Sequence, residues 1–114
     1  MKFIFFILFI SSSYCLAQEL DSLKSAFQEP TGVEKVRTGQ RLSSRLRRSG
    51  DYSESLKYAH SCLELSQQLS AEALIGESYN LIGLVYEETE KKDLANEFLY
   101  KALDHFKLAN YSSG

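Results

Sequence analysis

His60 and Cys62, two positions apart, and His105, much further along, are the side chains best suited to hold a metal ion or act as nucleophiles. On a helix, positions i and i+2 point about 200° apart, so His60 and Cys62 cannot grip one ion. His105 belongs to a different segment and does not complete a ligand set. Serines are plentiful, but no His and acid accompany them in an order that suggests a nucleophile and its base. The glycines lack the spacing of a phosphate-binding loop. The chain reads as a non-enzyme with no catalytic, cofactor or metal site.

The charged residues say more. Arg37, Arg41, Arg45, Arg47 and Arg48 crowd one segment of a 114-residue chain whose net charge is −2. That mild acidic balance argues for neither nucleic acid nor an anionic membrane surface, and no nucleic-acid partner is expected. Anion or peptide binding by the arginine run is one reading; pairing with acidic residues elsewhere in the fold is the other.

The elements that position these residues follow from periodicity. After residue 18 nothing alternates with period two, and apolar residues recur at helical spacing. The spacing predicts helices over about 19–27, 33–48, 52–69, 71–88 and 91–109, an all-α chain of antiparallel hairpins joined by short turns. Pro30 ends the first helix, because the residue before proline disfavours the helical region. Gly50 is the expected cap of the second.

Before them stands MKFIFFILFISSSYCLA: one Lys, an apolar run from Phe3 to Ile10, then a polar stretch with small residues before a candidate cut after Ala17. This is the pattern of a secretory signal, residues 1–17, and the run is too short to span a bilayer. After cleavage the chain keeps no membrane span. Lipid on Cys15 is the rival reading, disfavoured by the bulky Tyr14 beside it. Removal of the leader takes Cys15 with it and leaves Cys62 alone, so burial of Cys62 is expected in an oxidising setting. The expected address is exported, in the periplasm; the alternatives are lipid anchorage or a membrane anchor within a longer protein.

The chain also repeats itself. At an offset of 40, Leu42 falls on Ile82, Ser43 on Gly83 and Leu46 on Tyr86; Ser55 falls on Ala95, Tyr58 on Phe98, Ala59 on Leu99 and Cys62 on Ala102. One shift aligns two separate helices, so the chain carries two copies of a helical hairpin. The small residues Ser55, Ala59 and Cys62 mark where neighbouring helices close in.

This order of large, small and aromatic residues, with Gly50-Asp51-Tyr52 at the turn, resembles the tetratricopeptide repeat, in copies over 36–69 and 76–109. Residues 18–35 form a short helix and linker in front, and 110–114 would begin a linker or a third copy. The 40-residue spacing exceeds the family's ~34, so residues 70–75 are expected to lengthen both flanking helices. The resemblance implies an α-solenoid whose groove is lined by Arg37, Gln40, Ser44 and Arg47 in copy one and Glu77, Asn80, Leu84 and Glu87 in copy two. It implies a protein or peptide partner. The carboxylate-gripping pattern of some cochaperones is not matched, since Gln40 and Ser44 stand at its first two positions. The alignment also sets Arg37, Arg47 and Arg48 against Glu77, Glu87 and Glu88, and inter-repeat ion pairs are expected there.

With the short helix in front, the layout is similar to the exported sensor regions of signalling proteins in the Bacteroidota. That resemblance implies a sensor-side module in signal transduction, or a fragment of a sensor histidine kinase or transcriptional regulator. A structural, oligomerising module is the other expectation. The last helix carries Phe98, Leu99, Leu103 and Phe106 with no capping helix after it. That face reads either as the edge of a truncated array or as a surface for self-association.

Overall fold

The computed structural model describes residues 17–28 and 32–113. Residues 1–16, 29–31 and 114 lie outside the described residues, and with them Pro30 and all but the last residue of the expected signal. The described chain is five helices: α1 (17–28), α2 (Gly32–Arg48), α3 (Tyr52–Gln68), α4 (Glu72–Glu88) and α5 (Lys92–Ser113). No strand occurs among the described residues.

One turn is used three times. The amide of Gly50 donates to the Arg47 carbonyl (3.0 Å) and that of Asp51 to Leu46 (2.8 Å). Ser70 and Ala71 do the same to Gln67 and Ser66, and Glu90 and Lys91 to Glu87 and Tyr86. This pairing satisfies the last carbonyls of each helix and requires a left-handed residue at its pivot. The pivots are Gly50 (φ 84°), Ser70 (φ 53°) and Glu90 (φ 63°). Each 17-residue helix and its three-residue turn therefore repeat every 20 residues, which gives the 40-residue hairpin period.

Two boundaries differ from expectation. Residues 70–75 do not extend both neighbours: the turn is complete at Ala71, and residues 72–75 open α4 alone. Residues 110–113, expected to start a linker or a third copy, continue α5, because Leu108-Ala109-Asn110-Tyr111 contains no glycine or proline to stop it.

Helices α2 and α3 form the first hairpin and α4 and α5 the second; α3 packs on α4, and α2 touches α4. The core runs through this stack. Val36, Leu42, Leu46, Ala59, Cys62, Ile82 and Val85 are fully or almost fully buried; the 3–4 residue spacing of Leu42 and Leu46, of Ala59 and Cys62 and of Ile82 and Val85 turns each pair inward. The small residues are where helices meet most closely. Ser55 faces Ser43 of α2, Ala59 joins Leu81 and Ile82 of α4, and Cys62 lies against the Val36 carbonyl and Gly39. α1 runs antiparallel to α2, with Glu19 paired to Arg45 near one end and Phe27 against Gly39 near the other. Phe27 also meets Tyr58 edge-on at 5.4 Å, and Lys24 pairs with Glu54.

Candidate functional site

An open groove of about 460 Å³ lies between α2 and α4. Its α2 wall is Arg37, Gln40, Arg41, Ser44, Arg45 and Arg48; its α4 wall is Glu77, Asn80 and Leu81. Five of the residues expected from the sequence meet there: Arg37, Gln40, Ser44, Glu77 and Asn80. Arg47, Leu84 and Glu87 do not line it.

Helical geometry explains the division. Around α2, Arg37, Arg41, Ser44 and Arg48 fall within about 60° of one another at 100° per residue, so they form one stripe. Gln40 and Arg47, three and ten positions from Arg37, turn away from that stripe toward α4. The Gln40 amide donates to the Leu74 carbonyl (3.2 Å) and to Ser78 Oγ (3.1 Å), and Gln40 is almost fully buried. Arg47 pairs with Glu88. These two side chains clamp α2 and α4, the first helices of the two hairpins, together.

The expected pair of Arg47 with Glu87 is therefore corrected to Arg47 with Glu88. On α4, Ser78 marks the side that faces α2; Glu88 lies about 80° from it and Glu87 about 180°. Glu87 is exposed and cannot reach back across its own helix. Neither Arg37 with Glu77 nor Arg48 with Glu88 forms an ion pair, although the alignment set them opposite. Alignment at a fixed offset finds equivalent positions, whereas ion pairs depend on which equivalent positions share a line of sight.

The sequence reading missed Arg41, Arg45, Arg48 and Leu81 as groove residues. The signal was present: Arg41 and Arg48 stand four and eleven positions from Arg37, on the same helical face. Arg45 lies further round and is paired with Glu19. Among the described residues, Arg37, Arg41 and Arg48 make no ion pair.

The other polar groups do structural work. Cys62 is a free thiol, fully buried, and desolvation pushes its pKa up to about 12, so it stays protonated. His105 Nδ1 lies 2.6 Å from Glu72 Oε2 and its ring stacks on Tyr79, which ties α5 to the start of α4. His60 is exposed and meets Phe98 edge-on at 6.4 Å. Among the described residues, no group of three or more His, Cys, Asp or Glu side chains could hold a metal ion. No helix among them is long and apolar enough to cross a membrane.

On α5, Leu94, Tyr100, Leu103 and Leu108 are exposed, Tyr100 at 69%, spread over about half of the helix's circumference.

Comparison with known proteins adds one positive result. The family described as tetratricopeptide repeat matches residues 40–107, which run from within α2 through α3 and α4 into α5. No curated protein and no solved structure matches. Two stacked hairpins, small residues at each close approach and a family match across both copies carry one conclusion: the chain belongs to the tetratricopeptide repeat family.

Proposed function

We propose that this chain is a non-catalytic, exported interaction module that seats an extended segment of a protein partner in the groove between α2 and α4, as the sensor-side part of a bacterial signalling protein. The repeat family supports a protein–protein interaction role. The observation that carries the site is the groove: it is open, and Ser44, Asn80 and three arginines that make no ion pair among the described residues face into it. Extended peptides need side-chain hydrogen-bond partners for their backbone, and Asn80 can both donate and accept. The leader-like residues 1–17 support export to the periplasm, and the similarity to exported sensor regions of the Bacteroidota supports the signalling role.

A photoreactive side chain placed at Asn80 is expected to crosslink a partner in the native host, and one at the outward-facing Asn96 of α5 is not. Equal products from both positions would reject the groove as the contact. Cell fractionation with N-terminal sequencing is expected to find a periplasmic chain beginning at Gln18; an uncleaved cytoplasmic chain would reject export.

The exposed Leu94, Tyr100, Leu103 and Leu108 favour a second reading, a module that self-associates through α5. Sedimentation separates the two. A dimer that Leu103→Glu converts to monomer supports self-association, and a monomer at high concentration rejects it.

A further inference from the structure

The α2 wall of the groove is more basic than the fold requires. Arg37, Arg41 and Arg48 share one face and make no ion pair among the described residues. Like charges four positions apart on a helix repel each other. The repulsion is not part of a general basic character, because the chain has a net charge of −2. Nor is it relieved across the groove: Glu77 lines the α4 wall, yet it pairs with none of the three. The arginines that stabilise the fold are the other two, Arg45 through Glu19 and Arg47 through Glu88.

From this we infer that the groove selects an acidic peptide, an extended segment bearing Asp or Glu at alternate positions that runs along α2. This rests on the peptide-binding reading above and names the class of its ligand. The spacing fits. A helix rises 1.5 Å per residue, so Arg37 and Arg41 stand about 6 Å apart along the axis and Arg37 and Arg48 about 16 Å. An extended chain rises about 3.3 Å per residue, so carboxylates at positions 1 and 3 are about 6.6 Å apart and a third at position 5 lies about 13 Å along. An arginine side chain spans the remaining ~3 Å. Side chains at positions 2 and 4 would turn to the opposite wall, where Glu77 and Asn80 stand. Arginine suits this task because its planar fork donates two parallel hydrogen bonds to one carboxylate.

The test uses the full chain, ¹⁵N-labelled, titrated with three peptides of equal length carrying alternate Glu, alternate Gln or alternate Lys. The Glu peptide is expected to shift the amide signals of Arg37, Arg41, Ser44 and Asn80, to bind at least about tenfold more tightly than the Gln peptide, and to weaken as salt rises. Arg41→Glu is expected to remove that preference, and Arg41→Lys to retain part of it. If the Gln or Lys peptide moves the same signals and the Glu peptide gains nothing, the acidic preference is overturned while the groove still binds peptide. If none of the three moves them, the peptide-binding reading falls with it. A short oligonucleotide that binds as tightly as the Glu peptide would also overturn the inference, by showing a site for any polyanion.

Discussion

In the first hairpin α2 and α3 meet through Ser43 and Ser55, both fully buried. Ser43 Oγ donates to the Ser55 carbonyl at 2.9 Å, Ser55 Oγ donates to the Ser43 carbonyl at 2.7 Å, and the two oxygens lie 3.0 Å apart. In the second hairpin the same two positions are Gly83 and Ala95. There a Cβ on Gly83 would lie 2.8 Å from Leu99 Cγ and 3.3 Å from the Ala95 carbonyl oxygen. One backbone arrangement is therefore closed by reciprocal hydrogen bonds in one copy and by apolar contact in the other. The rest of each hairpin follows suit. Cys62 brings a thiol where Ala102 brings a methyl group. Each hairpin has a further close approach at a glycine, Gly39 against Cys62 in the first and Gly76 against Phe106 and the Ala102 carbonyl in the second. What the repeat conserves between copies is small volume at a contact; the chemistry of the contact is free to differ.

The largest effect should come from filling the apolar copy. Ala102 is almost fully buried beneath α4, and its carbonyl would lie 3.2 Å from a Cβ on Gly76. Ala102→Phe is expected to cost about 3 kcal/mol by overpacking, a fall of roughly 10–20 °C in the melting temperature. An unchanged melting curve would remove Ala102 from the interface.

The thiol separates the copies by pH. Burial raises the pKa of Cys62 to about 12, while an unfolded thiol loses its proton near pH 8.5. Above that value the unfolded chain releases a proton that the folded chain keeps, so stability falls as pH rises from about 9 toward 12, by up to about 1.4 kcal/mol per unit. The contribution is fully present below pH 8.5. Urea unfolding of Cys62→Ala should show a flatter decline over that window, and equal slopes would contradict the raised pKa. Ala102 contributes nothing of the kind.

The serine pair makes the first copy's interface cooperative. Ser43→Ala and Ser55→Ala should each cost about 1–2 kcal/mol, because each removes a buried hydroxyl that donates to the other residue's carbonyl. The double replacement should cost less than the two together, since the 3.0 Å contact between the hydroxyls is lost in either single replacement and cannot be lost twice, and a double-mutant cycle measures the difference. Strict additivity would mean that the hydroxyls do not act on each other. In the second copy the corresponding test is Gly83→Ala. Its contact with Leu99 should cost about 1–3 kcal/mol, and roughly 1 kcal/mol of helix propensity offsets part of that. Stabilisation would show that Leu99 yields freely.

Much of this was legible in the sequence because it depends on volume and period. Leu42, Ile82, Ala59 and Ala102 announce a helical repeat by spacing alone, and the turns at Gly50, Ser70 and Glu90 stand 20 residues apart in the chain as in space. Ser70 and Glu90 were harder to read as pivots, since neither is a residue that favours left-handed backbone. The groove was half legible. Arg37, Ser44, Glu77 and Asn80 follow from family position, but Gln40 is committed to Leu74 and Ser78, and Arg41 and Arg48 take the exposed places. Sequence alignment ranks positions along a helix; which of them faces a neighbour depends on the angle at which two helices meet, and no offset carries that angle.

The smallest expected effect tests that distinction. Arg47 pairs with Glu88 across the two copies, the arginine side chain 17% exposed and the glutamate 37%. Solvent screens the glutamate, and Arg47 Nε is buried with no hydrogen-bond partner among the described residues, so part of the pair's attraction is cancelled by desolvation. Arg47→Glu should therefore cost only about 0.5–1 kcal/mol. Glu88→Arg in the same chain should recover most of the loss, and Glu87→Arg should recover none, because residue 87 points away from α2. Rescue by the residue-87 change alone would mean that the copies pair by simple alignment after all. Rescue by the residue-88 change would establish that the facing side of α4, more than equivalence within the repeat, decides how one hairpin recognises the next.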